Sequence, residues 1–400
     1  MNICFVIDNI FPSHGGIGQT VERFSSLLKE RGHSIVMISS KDALNKKGFQ
    51  EINGIKIFRL RGVYIPFTHG IYYQAIPSKS TIEKILKVEN IDVIILVSYT
   101  LLGIRMQDYC KKLKIPLILW QHFQPENVTK HIHADFRLIR KFISMWTVFI
   151  SNRSLEIIVP SEFAKNLLVG YGVKKKIEVI SNGIDLDEFN ISKTTKGSFL
   201  KQYGLEGKSS FLFVGRLMPE KNINILIEAF SLIDFKEKEN QDLRLVIVGK
   251  GDLENSLRKK VKKLHLEDKV IFTGFIDEKT KKEVYNDCDI FILPSLVELE
   301  GIVVLEAMAF GKPIMVAGAS GSAAHFLVKE GLNGYIFDSN NSEKLAEKIV
   351  SLNKNKEKIN RMGEQSLEMI KKYDINKSVL KMEEIIEKIL VNSKNYKNLI

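Results

Sequence analysis

Between Asp289 and Pro313 the pattern of the sequence changes in a way that few folds accommodate. Asp289-Ile290-Phe291-Ile292-Leu293 is a short apolar run, the signature of a parallel strand buried on both faces. Ile302 to Phe310 is a compact helix former, stopped by Gly311 and then by Pro313. Strand, loop and helix in that order belong to an open α/β sheet. In such sheets ligands dock at the carboxyl ends of the strands, and a helix start there offers free N–H groups to an anion.

Two carboxylates fall in this stretch, Glu298 in the loop and Glu306 more than a turn inside the helix. From Gly301 to Glu306 the helix climbs roughly 7–8 Å at 1.5 Å per residue. That separation suits a ligand with hydroxyls at both ends and phosphates between, which is the shape of a nucleotide-sugar. Taken singly, Glu306 reads as well as a cap on a neighbouring element, and Glu298 as a solvated loop charge.

A chain of 400 residues is too long for one ordinary core and suits two domains of about 200. With 44% hydrophobic and 26% charged residues it has globular composition. Three cysteines, Cys4, Cys110 and Cys288, are scattered and odd in number. They suggest neither a disulfide framework nor a zinc site, and favour a reducing compartment, the cytoplasm. Met1 to Asp8 lacks a basic leader and breaks its apolar run at Asp8, so it reads as a first strand. No window has the 18 uncharged apolar residues of a membrane span. Of the net charge of +12, residues 1–190 carry +8, with 25 Lys and Arg against 17 Asp and Glu. The excess suits acidic substrates, an anionic membrane face or simply solvated surface. No basic run is interleaved with aromatics, which argues against nucleic acid.

The first half opens as β-α-β: a strand over Ile3 to Ile7, a glycine-rich turn including Gly15 and Gly16, a helix from Gln19 to Arg31 and a strand over Ser34 to Ser39. Glycines there let a backbone approach a phosphate. The turn is not G-x-G-x-x-G and no acidic residue ends the second strand, which disfavours a nicotinamide cofactor. Gly54 to Leu60 reads as an edge strand after the turn pair Asn53-Gly54, and Val63 to Pro77 as an aromatic loop. A strand over Lys114 to Trp120 delivers His122 at its carboxyl end, where a doubly wound sheet would turn it toward a cleft. His131 and His133 lack a third ligand, so no metal site is assigned. Arg137 to Arg153 sets basic residues around Phe142, Met145, Trp146 and Phe149. It is too short to cross a bilayer, and two readings stand: a buried helix, or one lying on an anionic membrane with Trp146 at the interface. Polar residues from Asp187 to Lys208 make the best linker.

The second half restarts the pattern. A strand over Ser210 to Val214 runs into Gly215-Arg216-Leu217-Met218-Pro219-Glu220-Lys221-Asn222, with proline placed to start a helix. Arg216 and Lys221 flank this turn and can both reach an anion over the helix start. No carboxylate cluster is available for Mg²⁺, so two side-chain cations would meet the charge of a diphosphate. Further strands end at Gly249-Lys250-Gly251 and at Thr273-Gly274-Phe275.

The Glu298 to Glu306 block resembles the Glu-x7-Glu motif of the family 4 glycosyltransferases, and Gly215-Arg216 with Glu220-Lys221-Asn222 resembles their phosphate-binding turn. The likeness covers nearly the whole chain and is more specific in its carboxyl half. It implies a GT-B fold, α/β, with two Rossmann-like doubly wound parallel-sheet domains facing a central cleft. Residues 1–190, joined by a last helix over 375–391, would form the acceptor side, and 191–374 the donor side. It implies a retaining, metal-independent hexosyltransferase without cofactor, moving a sugar from a UDP- or GDP-sugar to a hydroxyl acceptor, a membrane lipid or a cell-surface glycan precursor. Such an enzyme would be cytoplasmic or peripheral on the inner face of the membrane. By resemblance Arg216 and Lys221 bind the diphosphate, Glu298 the donor sugar, Glu306 the ribose, and His122 lies beside the donor sugar. Ile302 and Val303 N–H groups with the Gly15-Gly16 turn assist, and Gly249 and Phe275 flank the base. The family often reads Glu-Gly-Phe-Gly where this chain has Glu298-Leu299-Glu300-Gly301, which leaves the donor and acceptor open. A GT-B epimerase and a non-catalytic nucleotide-sugar-binding protein are the rival readings. A pyridoxal phosphate phosphorylase is more remote.

Overall fold

The structure, a computed structural model, describes residues 1–8, 16–41, 48–64, 73–75, 78–125 and 137–397. The chain divides into two compact units, one built from Met1–Pro125, Arg137–Asn182 and the chain from Ile375 onward, the other from Gly183–Asp374.

In the first unit the strands are β1 (Asn2–Val6), β2 (Ser34–Ser40), β3 (Gly48–Ile52), β4 (Ile55–Leu60), β5 (Gly62–Tyr64), β6 (Tyr73–Ala75), β7 (Val93–Leu96), β8 (Leu117–Trp120), β9 (Glu156–Val159) and β10 (Ile177–Val179). Eight of them form a sheet in the order β10-β9-β8-β7-β1-β2-β4-β3, while β5 and β6 pair separately. The interior strands β7 and β8 are apolar throughout, and β1 is apolar after Asn2, because helices cover both faces of a parallel sheet. The β4 strand is not the edge that its sequence suggests. Asn53 and Gly54 both take positive φ, 51° and 68°, the two-residue hairpin turn that matches strand twist. It folds β3 back antiparallel onto β4 with Ile52 opposite Ile55. The mixed, partly exposed GFQEI of β3 carries no apolar run to reveal it.

The last helix, Ile375–Lys397, completes this unit. Val379, Met382 and Ile386 are buried in one cluster with Phe5, Phe24 and Leu28, each such side chain contributing about 1.5–3 kcal/mol. Glu383 fixes its register on the Gly16–Glu30 helix by accepting from Arg31 Nε at 2.8 Å and meeting His33 Nε2 at 2.6 Å.

In the second unit the strands are β11 (Ser209–Val214), β12 (Leu243–Val248), β13 (Val270–Gly274), β14 (Ile290–Leu293), β15 (Val297–Glu298), β16 (Ile314–Ala317), β17 (Gly321–Ser322) and β18 (Gly334–Phe337). The main sheet runs β13-β12-β11-β14-β16-β18, with every pair parallel. Counted along the chain this is 3-2-1-4-5-6, the doubly wound nucleotide-binding order, whose reversal lies between β11 and β14.

The stretch expected to be a linker, Asp187 to Lys208, is instead part of this unit. Phe189 and Phe199 are buried, and the Asp287 carboxylate accepts the N–H groups of Gly197, Phe199 and Leu200 at 2.6–3.3 Å. Two aromatic anchors in a polar stretch have no periodicity, so only the packing reveals them.

Candidate functional site

The reversal between β11 and β14 brings together the loops that follow them. After β11, Pro219–Lys221 is a single 3₁₀ turn, not the start of a continuous helix. Asn222, at φ 50°, interrupts it before the Asn224–Ser231 helix, a conformation asparagine tolerates better than most residues. Lys221 thus ends a turn and reaches across to the next loop, where its Nζ lies 2.5 Å from Glu298 Oε1. Both side chains are 15% exposed. The main chain joins the same loops: Leu296 N donates to Glu220 O at 2.8 Å.

Glu298 is not in an open loop. It ends β15, which pairs in parallel with β17, Glu298 opposite Ser322, and its carbonyl accepts from Ala323 N at 2.8 Å. Gly321 and Ser322 supply that partner strand. Gly301 then takes φ 100° ahead of the Ile302–Ala309 helix, and a side chain there would come 3.3 Å from Ala324 Cβ. Intrahelical bonding begins with Val304 N on Gly301 O, so the N–H groups of Ile302 and Val303 precede it.

Arg216 stands exposed, with Nη2 3.4 Å from Glu220 Oε1. Glu220 itself is buried, and its Oε2 makes no hydrogen bond among the described residues. Glu300, the residue that departs from the family's pattern, is also buried, and together with burial its charge raises the Tyr373 pKa.

The Gly215, Gly249 and Gly274 turns lie side by side. Gly215 N donates to Val248 O, and Gly249 N to Gly274 O at 2.9 Å. Gly249, at φ 130°, has no room for a side chain, since a Cβ would lie 1.9 Å from Gly215 O. Phe275 follows Gly274 and is exposed.

Glu306 is almost wholly buried, with a donor on each oxygen: Lys281 Nζ at 2.9 Å on Oε1 and Tyr285 OH at 2.9 Å on Oε2. Both donors come from the Glu278–Asp287 helix. Sequence reading missed them, and the only trace there is their i, i+4 spacing on one helix face.

His122 belongs to the first unit, at the carboxyl end of β8, packed 4.9 Å edge-on to Trp120. Burial drives its pKa down to about 3, so the imidazole is neutral at ordinary pH, and its Nε2 has no hydrogen-bond partner among the described residues. At the end of β1, Asp8 accepts from Thr100 Oγ1 at 2.6 Å and burial raises its pKa. The sequence reading used Asp8 only to end a strand. Gly16 begins its helix, and its carbonyl accepts from Thr20 Oγ1 at 2.8 Å. Gly15, His131, His133 and most of Val63 to Pro77 lie outside the described residues. Among the described residues no group of three or more His, Cys, Asp or Glu is placed to hold a metal ion.

Two family models match this chain, glycosyltransferase family 4 over residues 14–188 and glycosyl transferases group 1 over residues 196–369. The chain belongs to the family 4 glycosyltransferases. The transferase is 29% identical over 325 residues to alpha-monoglucosyldiacylglycerol synthase of Streptococcus pneumoniae, covering 80% of this chain and 71% of that protein. Among solved structures it resembles sucrose-phosphate synthase from Thermosynechococcus elongatus, with TM-score 0.81, 18% identity, and 98% and 99% of the two chains covered. It also resembles Anabaena HepE in complex with UDP-glucose, with TM-score 0.76, 19% identity, and 97% and 100% covered. These structural likenesses are of fold. The transferase has the GT-B architecture of two Rossmann-like domains with parallel sheets.

Proposed function

We propose that this transferase moves a sugar, with retention at the anomeric carbon, from a nucleoside diphosphate-sugar to the hydroxyl of a membrane lipid. The observation that carries the donor assignment is the Lys221–Glu298 pair across the β11/β14 reversal. An ammonium has three N–H donors and Glu298 takes one, leaving two for diphosphate oxygens. The second Glu298 oxygen is free of Lys221 and can accept from sugar hydroxyls. Arg216 adds an exposed cation, and the Ile302 and Val303 N–H groups face developing negative charge on the leaving diphosphate. Stabilising charge where it develops is the largest usual term in such catalysis. These groups carry the role that Mg²⁺ has in other nucleotide-sugar enzymes, so the reaction proceeds without a metal.

Retention follows from attack on the face the diphosphate leaves. The C–O bond to the diphosphate breaks with its electron pair going to the phosphate oxygen. The acceptor oxygen bonds to the anomeric carbon, and its proton passes to that same phosphate oxygen. His122, neutral and with Nε2 unpaired among the described residues, is fitted to hydrogen-bond a sugar hydroxyl and not to act as an acid.

Support for a lipid acceptor comes from the Arg137–Asn152 helix and from the monoglucosyldiacylglycerol synthase relative. Leu138, Phe142, Met145 and Phe149 recur along one face and are 80%, 68%, 62% and 46% exposed, beside exposed Arg140 and Lys141. An exposed apolar stripe with cations beside it fits an anionic bilayer. Trp146 does not join that stripe. Its Nε1 donates to Tyr99 O at 2.9 Å, which anchors the helix from its inner side. No described helix is long and apolar enough to cross a membrane. The three cysteines are free and buried, in keeping with a reducing cytoplasm. The enzyme would then work at the membrane's inner face.

The deciding experiment is a thermal-shift panel of UDP, GDP, ADP and their sugars, followed by radiolabelled transfer to diacylglycerol and glycosyl-diacylglycerol. A ligand at 100 times its Kd adds about 2.7 kcal/mol of stability. Stabilisation without transfer to any acceptor would favour a non-catalytic binder, and conversion of the donor alone an epimerase.

A further inference from the structure

We propose that Lys281 and Tyr285 are positioning residues for the nucleotide's ribose: they hold the Glu306 carboxylate in one orientation, leaving an acceptor site on each oxygen for the 2′- and 3′-hydroxyls. This rests on the reading of Glu306 as the ribose ligand.

An ionised carboxylate offers about four lone-pair sites. Lys281 and Tyr285 take one on each oxygen, both at 2.9 Å, so two remain and they lie on different oxygens. That matches a vicinal diol, which presents two neighbouring O–H donors. Without Lys281, this buried carboxyl group would lose both the donor that aims Oε1 and the cation beside it. An oxygen that is no longer aimed is a poorer acceptor, and the second hydroxyl would lose its partner.

Both donors are themselves held in place. Lys281 Nζ also lies 3.0 Å from Glu278 Oε2, and it sits 5.6 Å from the centroid of the Phe189 ring. The Tyr285 ring stacks on Phe310 at 11° and 5.9 Å, with Phe291 also 5.9 Å away. A side chain fixed by packing aims a hydrogen bond without loss of rotamer freedom at binding, which is how a supporting group sharpens a site.

The test uses the full chain and calorimetric titration with UDP, GDP and ADP and their 2′,3′-dideoxy counterparts. Wild type is expected to prefer the ribose form of whichever nucleotide it binds by about tenfold or more, the worth of hydrogen bonds to a charged acceptor. Lys281→Met should cut that preference about fivefold or more, and Tyr285→Phe by a smaller factor, with the dideoxy affinity unchanged in both. Lys281→Arg should restore most of the preference, because a guanidinium supplies the same charge. Equal weakening of both forms would mean a purely structural role, and an unchanged preference no role; either overturns the inference. Tyr285→Phe removes one oxygen from a packed ring and keeps the test open if Lys281→Met does not fold. Should wild type bind a nucleotide with no ribose preference, or none of the six, the reading of Glu306 falls first. A preference that survives both variants sinks only the positioning role.

Discussion

Lys221 Nζ lies 2.5 Å from Glu298 Oε1, although Lys221 ends the turn that follows β11 and Glu298 ends β15, beyond β14. Among the described residues neither charge pairs with a second oppositely charged side chain, and both are largely out of solvent. Breaking such a pair leaves the survivor unpaired in a poorly solvated place.

Lys221→Met is therefore expected to destabilise the second unit by about 1–3 kcal/mol and to lower transferase kcat/KM by about 100-fold or more. The double variant Lys221→Met/Glu298→Gln should regain most of the stability and none of the activity. Urea unfolding and initial rates would be compared, and a double variant that recovers activity would remove Lys221 from the diphosphate site.

The pH dependence of stability should carry the mark of His122. Its folded pKa, about 3, lies below the ordinary 6.5, so between those values the unfolded chain binds the proton and the folded one does not. Stability falls as pH drops through that window, by up to about 1.4 kcal/mol per unit, and the contribution is flat above it. His122→Asn should remove one proton from the slope between pH 4 and 6. An unchanged slope by urea titration would mean the imidazole is solvated.

Gly249→Ala should be among the most damaging small changes in the chain. Its Cβ would lie 1.9 Å from Gly215 O, in a backbone conformation at φ 130°. The β11 and β12 loops would have to part, at a cost of about 3 kcal/mol or more. Calorimetric melting checks this, and a shift under about 2 °C would contradict the close approach.

On the Arg137–Asn152 helix, Phe142→Ser with Met145→Ser should lower binding to phosphatidylglycerol vesicles about tenfold or more, while melting is unchanged or slightly raised. Arg140→Ser with Lys141→Ser should instead make binding less sensitive to salt. Cosedimentation with phosphatidylglycerol and phosphatidylcholine vesicles separates the two effects. Equal binding of wild type and the Phe142/Met145 variant would leave that face without a bilayer role.

Much of this protein was written locally. Apolar runs ending in glycine turns announced parallel sheets, because a strand covered on both faces has to be apolar along its length. The spacing of Glu298 with Glu306, and of Gly215-Arg216 with Glu220-Lys221-Asn222, resembles that of the family 4 glycosyltransferases, whose family models match both halves of the chain. What local pattern could not carry was anything held by distant partners. The β3 hairpin, the β15–β17 pairing and the burial of Phe189 and Phe199 in a polar stretch came only with packing. The Lys221–Glu298 pair and the Lys281 and Tyr285 hold on Glu306 are likewise contacts between side chains many residues apart. A sequence fixes which groups exist and how its backbone is inclined to fold locally, but whether two charges meet depends on strand order, and strand order is set by the whole core at once.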